Sequence, residues 1–208
     1  MPVFLSRTVL TAAHCIVAVF RFGSLSSELR IRVGSNRWNN GGVTYTLSSN
    51  ATHEHYESTS RKNDLGVLYT RTPIVFSETI CAIALDFEHV GAEIQTRAAG
   101  WGRTRTAGPV SNLLMELDVI TMSGPRCVEE MARTVTSLVV EPNIELCTRH
   151  PNGSGRGMCT GDSGSALVRL DHGSQIGIVS WGVLCARGAP DIFVRVSAYE
   201  NWLQKHIR

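Results

Sequence analysis

Three residues far apart along the chain have the side-chain types that nucleophilic catalysis requires. Ser163 lies in the segment GDSGSA, residues 161–166, where glycines allow a sharp backbone bend directly before an apolar run. A serine hydroxyl is a weak nucleophile, so it needs a neighbouring base and a carboxylate that orients the base. His14, within TAAHC, and Asp64, within NDLGVL, supply these two side-chain types.

Each of the three segments also has a plainer interpretation when it is taken alone. His14 fits a packed turn after an apolar strand, Asp64 fits a solvated strand end, and Ser163 fits a simple glycine turn. Only tertiary folding can bring the three together, because they are spread over most of the chain. Their presence in one chain, in the order His, Asp, Ser, favours the catalytic interpretation.

The elements that position these residues are predicted to be short strands. Apolar or alternating runs of about five residues recur along the chain between Gly, Pro, Asn or Ser, which is typical of an all-β sandwich or barrel. A single helix is predicted at Ser197–His206, with Ser197 as its N-cap. The predicted strands are Thr8–Ala12, Leu29–Val33, Val43–Leu47, Leu65–Tyr69, Thr96–Gly100, Leu113–Val119, Ser165–Leu170 and Gln175–Trp181.

Composition excludes several classes of function. The 208 residues carry a formal net charge of +2 with scattered arginines, so neither nucleic acid nor a membrane surface is expected as a partner. No apolar run approaches the roughly 18 residues that span a bilayer, and we expect a soluble chain forming one domain or two packed halves. The six cysteines include no CxxC pair and no histidine cluster at zinc spacing, which favours disulfides in an oxidising compartment over a metal site.

Together the segments resemble the trypsin/chymotrypsin-like serine proteases, peptidase family S1. The resemblance covers essentially the whole chain, because AGWG at 99–102, SWG at 180–182, Pro190–Val196 and the closing YxxW at 199–202 also match at family-like spacing. It implies an all-β fold of two perpendicular six-stranded antiparallel β-barrels with a C-terminal helix. The first barrel is expected at roughly residues 1–95, the second at 96–196 and the helix at 197–208.

The resemblance also implies the roles of the reacting groups. His14 is expected to accept the Ser163 proton, Asp64 to fix the imidazole tautomer, and the N–H groups of Gly161 and Ser163 to bind the oxyanion. An enzyme of this kind hydrolyses peptide bonds through an acyl-enzyme and needs no metal or organic cofactor.

The expected substrate pocket departs from both main subclasses of the family. Trypsin-like members have an aspartate where this chain has Gly157, and chymotrypsin-like members usually have a glycine where it has Asp191. We expect chymotrypsin-like or mixed specificity, resembling the broad-specificity, collagenase-like arthropod members. In the alternative, Asp191 faces solvent and the pocket is plainly chymotryptic. The residues expected to line the pocket are Gly157, Met158, Ser180, Trp181, Gly182 and Asp191.

The resemblance also bears on the cysteines and on activation. It leaves Cys15 and Cys81 without an assigned partner, and the implied disulfides are Cys127–Cys147 and Cys159–Cys185. Family members are activated when cleavage frees an apolar N-terminus whose ammonium pairs with the aspartate before the nucleophile, here Asp162. The sequence has no start of that kind, so we expect a first barrel truncated at its N-terminus. We therefore assign the activity to the complete protein and expect the 208-residue chain alone to be inactive.

The leading hypothesis is a secreted digestive endopeptidase, a monomer that acts on protein or peptide substrates. It would be activated by another protease and bound by protein protease inhibitors. The rival is a serine protease homologue without catalysis, which keeps the fold as a binding or regulatory module.

The basic residues suggest a working environment. Of the twenty, only Lys62 and Lys205 are lysines. Arginine keeps its charge at alkaline pH, so an alkaline compartment such as the gut lumen of insect larvae is one interpretation. Genome composition is the other.

Overall fold

The computed structural model describes residues 7–19, 29–134, 136–153, 155–183, 185 and 187–207, whose regular secondary structure is mostly β-strand. The first half of this part of the chain contains β1 (Thr8–Thr11), α1 (Ala13–Val19), β2 (Arg30–Val33), β3 (Val43–Thr52) and β4 (Gly66–Thr70). The second half contains β5 (Gln95–Gly100), β6 (Met115–Thr121), α2 (Gly124–Ala132), β7 (Glu145–Arg149), β8 (Ala166–Arg169), β9 (Gln175–Gly182), β10 (Asp191–Arg195), a 3₁₀ turn (Val196–Tyr199) and α3 (Glu200–His206).

The strands of the first half form a curled antiparallel sheet in the order β1-β4-β3-β2. The long strand β3 serves two neighbours, since Val43 to Thr46 pair with β2 and Leu47 to Thr52 pair with β4. The register shifts between Leu47 and Ser49, which is a β-bulge. A bulge increases the bend and twist of a strand, so it lets one strand follow the curvature of the sheet.

The strands of the second half close into a six-stranded antiparallel barrel in the order β10-β7-β6-β5-β8-β9. Closure leaves no unpaired strand edge within the barrel. Its interior is filled by alternating inward-facing apolar side chains, among them Ala98, Val119, Leu146, Leu167, Ile176 and Phe193.

A second hydrophobic cluster joins the sheet to the barrel and to α3. Leu65 and Val67 contribute from the sheet, Ile178 and Val194 from the barrel, and Trp202 from α3. Because one apolar cluster spans both halves, the cleft between them is held by packing rather than by surface contacts alone.

The all-β class with an antiparallel barrel and a C-terminal helix is confirmed, and each predicted strand overlaps an observed one. The prediction of a single helix is wrong, because α1 and α2 are also helical. Both helices are short, and short helices depend on tertiary packing more than on their own periodicity. In α2 that packing comes from Cys127 and Met131, which are buried one turn apart, and Arg126 pairs with Glu130 on the outside.

The start of the C-terminal helix also differs from the prediction. Ser197 does not cap an α-helix, because it lies inside the 3₁₀ turn, and α3 begins only at Glu200. Residues three apart share a face on a 3₁₀ turn. The turn therefore buries Val196 and Tyr199 on the same side.

The structure contains both disulfides that the resemblance implied. Cys127–Cys147 ties α2 to β7, and Cys159–Cys185 joins the segment before Ser163 to the segment after β9. Cys15 and Cys81 are free thiols.

Replacing Phe193 with alanine should lower the free energy of unfolding by about 3–5 kcal/mol, because it leaves a cavity in the barrel interior. Phe193 is 0% exposed, at the centre of β10. Urea unfolding measures the loss. Val75→Ala is a matched control, since Val75 is 70% exposed and should change the stability by no more than about 0.5 kcal/mol. Equal effects in the two variants would contradict the assignment of Phe193 to the core.

Candidate active site

The pairing of β1 with β4 brings His14 next to Asp64. The antiparallel register sets Thr11, at the end of β1, opposite Gly66, at the start of β4. His14 follows shortly after Thr11 in the first turn of α1, and Asp64 comes just before Gly66. Both side chains therefore lie at the same end of the sheet.

The Asp64 carboxylate is fully buried, at 0% exposure, and accepts three hydrogen bonds. Oδ1 accepts from the backbone N–H of His14 at 2.8 Å, and Oδ2 accepts from Nδ1 of the same residue at 2.7 Å. Oδ2 also accepts the Ser180 hydroxyl at 2.5 Å. A buried carboxylate without such donors is strongly unfavourable, so the three bonds hold it in place. With Nδ1 donating to Asp64, Nε2 of the neutral ring is an acceptor.

Opposing effects set the pKa of His14. Burial of the ring alone lowers the pKa, whereas the hydrogen bond and charge of Asp64, with a further contribution from Cys15, raise it. The net result raises the pKa of His14 to about 9. Protonated His14 is therefore a stable species beside Asp64, which suits a base that must hold a proton during a reaction.

Ser163 stands in a turn that only glycine permits on both sides. Gly161 and Gly164 have φ values of +102° and +82°, in the left-handed region that favours glycine. A side chain at Gly164 would also overlap the Thr11 hydroxyl, so the turn lies directly against the end of β1. The N–H of Gly164 donates to the Val179 carbonyl at 2.8 Å, which fixes the turn to β9.

His14 and Ser163 line one cavity of about 320 Å³ between the sheet and the barrel. Gly161 lines the same cavity. Among the residues that the structure describes, the N–H groups of Gly161 and Ser163 have no hydrogen-bond acceptor. Two unengaged donors beside a hydroxyl and a base form an arrangement that can stabilise an oxyanion.

Asp191 is a buried wall residue of this cavity and does not face solvent. It is 6% exposed, and its Oδ2 accepts the Met158 backbone N–H at 2.9 Å. Burial raises the pKa of Asp191 to about 7; the Met158 bond opposes that rise and the charge of Asp162 adds to it. Of the expected pocket residues, Met158, Ser180, Trp181, Gly182 and Asp191 line the cavity.

Gly157 is separated from this group and lines a neighbouring cavity instead. Met158 and Cys159 border both cavities, and Asp162 borders only the second. The Asp162 carboxylate accepts the backbone N–H of Gly102 at 2.8 Å and of Cys159 at 3.0 Å. Burial raises the pKa of Asp162 despite these two donors.

Sequence analysis did not identify the charged residues Lys62 and Glu145 beside the site. It also did not predict the hydrogen bond that Ser180 makes. Lys62 and Glu145 form a buried ion pair with Nζ 2.7 Å from Oε2. Ser180, which lines the cavity, also donates its hydroxyl to Asp64. The only sequence signal for Lys62 is the rarity of lysine in this chain.

Neither a candidate metal site nor a candidate membrane-spanning helix is present in the described ranges. No group of three or more His, Cys, Asp or Glu side chains in them is placed to hold a metal ion. No helix there is long and apolar enough to cross a membrane.

Comparison with known proteins identifies the family. The family model described as Trypsin matches residues 3–203 of this chain. Alkaline trypsin B of Manduca sexta is 33% identical over 204 residues, covering 97% of this chain and 76% of that protein. Trypsin alpha-4 of Lucilia cuprina is 31% identical, with 97% and 74% covered, and trypsin delta of Drosophila melanogaster is 30% identical, with 97% and 75% covered. The chain belongs to the trypsin family and is a serine endopeptidase.

Proposed function

We propose that His14, Asp64 and Ser163 are the catalytic triad of this endopeptidase. The observation that carries the proposal is the fully buried Asp64 carboxylate, which binds His14 twice at the edge of the cavity that Ser163 also lines. This arrangement supplies a nucleophile, a base and an orienting group in one cleft.

Each group has one task in the reaction. His14 takes the Ser163 proton at Nε2 as the serine oxygen attacks the peptide carbonyl, and it returns that proton to the departing amine. Asp64 remains ionised and stabilises the imidazolium. The N–H groups of Gly161 and Ser163 bind the oxyanion, and water then releases the acyl group by the same steps.

Asp191 supports a mixed primary specificity. Its buried carboxylate lies in the wall of the substrate cavity, where it can pair with an Arg or Lys side chain of the substrate. Met158 and Trp181 give the same cavity apolar walls that suit aromatic or aliphatic side chains. Gly157 contributes no charge, which distinguishes this pocket from one with an aspartate at that position.

Asp162 supports activation by cleavage. Its carboxylate is half-buried and accepts two backbone N–H groups, and no cationic side chain in the described part of the chain pairs with it. An incoming ammonium in the neighbouring cavity would compensate this charge and order the Ser163 turn. An activating protease and protein inhibitors are the expected partners.

The working environment we propose is a secreted, alkaline, digestive one. Two relatives from Manduca sexta are named alkaline trypsins, and this chain carries twenty basic residues of which only two are lysines. The pKa of His14 near 9 points the same way, because a neutral base is abundant only at alkaline pH.

A fluorophosphonate probe tests the triad directly, because it labels a serine only when that serine is activated as a nucleophile. The product of the full transcript, activated by limited proteolysis, should be labelled at Ser163, as mass spectrometry of the labelled peptide will report. Ser163→Ala should remove the label, and His14→Ala should slow labelling by about 10³-fold or more. Labelling of the 208-residue chain alongside reports whether this chain suffices by itself. An unlabelled Ser163 in the activated product would support the rival non-catalytic module.

A further inference from the structure

A buried ion pair connects the two halves of the molecule beside the cleft. Lys62 comes just before Asp64 in the first half, and Glu145 is the first residue of β7 in the barrel. They are 8% and 3% exposed. Removing two charges from water is costly, so a pair at this depth is retained only where its other hydrogen-bonding atoms are also satisfied.

Further hydrogen bonds satisfy the charged groups of Lys62 and Glu145, and one of the groups that they bind, the Trp181 indole, lines the substrate cleft. The Lys62 ammonium also donates to the Val139 carbonyl, and Glu145 Oε2 accepts the Glu141 backbone N–H at 2.6 Å. The second oxygen, Oε1, accepts the indole N–H of Trp181 at 2.8 Å. The ammonium itself lies 5.6 Å from the centre of the Trp181 ring, within the range of a cation–π contact.

The pair therefore fixes the Trp181 ring from its edge and from its face. Trp181 is partly exposed and lines the cavity that contains His14 and Ser163. A hydrogen bond at the indole nitrogen selects one orientation of the ring. Glu145 can hold that orientation because Lys62 occupies its other oxygen.

The backbone around Lys62 is built to hold this side chain inward. Arg61 and Asn63, on either side of it, have φ values of 59° and 53°. Such left-handed geometry is uncommon for residues other than glycine and persists only when surrounding contacts enforce it. Here the Asn63 side chain donates to the His55 carbonyl at 2.8 Å and accepts the Tyr199 hydroxyl at 3.0 Å.

We propose that Lys62 is a positioning residue for substrate binding. Through Glu145 it holds the Trp181 wall of the cleft in place, and it couples that wall to the segment that carries Asp64. The inference rests on the proposed function, because it takes this cleft to be where peptides bind.

The test compares KM and kcat of the activated enzyme for a tetrapeptide amide, with active sites counted by titration. Lys62→Met keeps a long side chain and removes the ammonium. It should raise KM by about tenfold and change kcat by less than about twofold, which is the pattern of lost ground-state binding. Lys205→Met is the matched control, since Lys205 is the exposed lysine of α3 and should leave both constants unchanged.

A purely structural role predicts a different result. Such a role would reduce the fraction of enzyme with a titratable active site, or the melting temperature, and leave the KM of the active enzyme unchanged. The tryptophan emission adds a readout, because the Lys62→Met change in emission should vanish in a Trp181→Phe background. Unchanged KM with unchanged emission overturns the proposal.

A second variant keeps the test valid if the Lys62→Met protein does not fold. The double variant Lys62→Met with Glu145→Gln leaves neither buried charge unpaired. It should also raise KM by about tenfold, and this increase should be smaller than the product of the increases in the two single variants. KM within twofold of the wild-type value in this double variant overturns the inference and leaves the proposed function standing. Wild-type enzyme that hydrolyses no peptide overturns both.

Discussion

Replacing Asp64 with asparagine should lower kcat of peptide hydrolysis by about four orders of magnitude. The carboxylate of Asp64 accepts both N–H groups of His14. In the proposed mechanism its charge stabilises the imidazolium that forms when Ser163 loses its proton. Asparagine keeps the size and shape of the aspartate side chain, but its amide presents either the NH2 group, a donor, or the oxygen, an uncharged acceptor, to Nδ1 of His14. Either outcome favours the wrong tautomer or a weaker base.

The pH profile gives this prediction a second, independent readout. The proposed mechanism requires neutral His14, so kcat/KM of the wild-type enzyme should rise with pH through the pKa of His14, about 9. Asparagine at position 64 removes the charge, and with it the charge-assisted bond, that raise this pKa, while burial, which lowers it, remains. The midpoint of the acid limb should therefore move to lower pH in Asp64→Asn.

Ser180→Ala is the matched control for Asp64→Asn. It removes one hydrogen bond to the same carboxylate, from a hydroxyl 2.5 Å away, and leaves the charge in place. A hydrogen bond to a charged group is worth about 1.5–3 kcal/mol, so kcat should fall by far less than in Asp64→Asn. Equal losses in the two variants, or a midpoint that stays fixed, would show that Asp64 acts only as a structural anchor.

The sequence singles out the residues of the proposed triad because their local segments are distinctive, but it does not show how these residues meet. Ser163 is marked by its glycines, and these follow from backbone geometry at one turn. The contact of His14 with Asp64 depends on the register of β1 against β4. Register is set by packing across the sheet, which no local pattern contains.

The features that the sequence analysis did not anticipate are also long-range in origin. Gly157, expected in the substrate pocket, lines the cavity that Asp162 borders. The pairing of Lys62 with Glu145 joins residues from opposite halves of the chain. Neither feature leaves a periodic signal, because each depends on how the sheet and the barrel pack together.

Near the Ser163 turn, carboxylates withdrawn from water differ in how many donors compensate them. Among the described residues, Asp64 accepts three hydrogen bonds, Asp162 accepts two, and Asp191 accepts one, from Met158. Desolvation with a single donor leaves the ionised form of Asp191 poorly stabilised. This explains why its pKa rises to about 7, within the range where the enzyme can be assayed.

The preference for arginine over phenylalanine at the cleavage site should therefore increase with pH. Below pH 7 Asp191 is protonated and neutral, and the cavity favours an apolar side chain; above pH 7 it is ionised and can pair with a guanidinium. A charge-assisted bond of about 1.5–3 kcal/mol corresponds to a change of about 10- to 100-fold in the ratio of kcat/KM values.

Paired reporter peptides that differ only in Arg or Phe measure this ratio between about pH 5 and pH 9, a window of about two units on either side of the Asp191 pKa. Titration of His14 affects both substrates equally, so it cancels in the ratio, and kcat/KM reports the ionisation of the free enzyme. Asp191→Asn keeps an acceptor for the Met158 N–H but cannot ionise, so its ratio should stay flat and low in arginine preference. A wild-type ratio that is equally flat would mean that Asp191 never meets the substrate, and the pocket would then be chymotryptic despite its buried carboxylate.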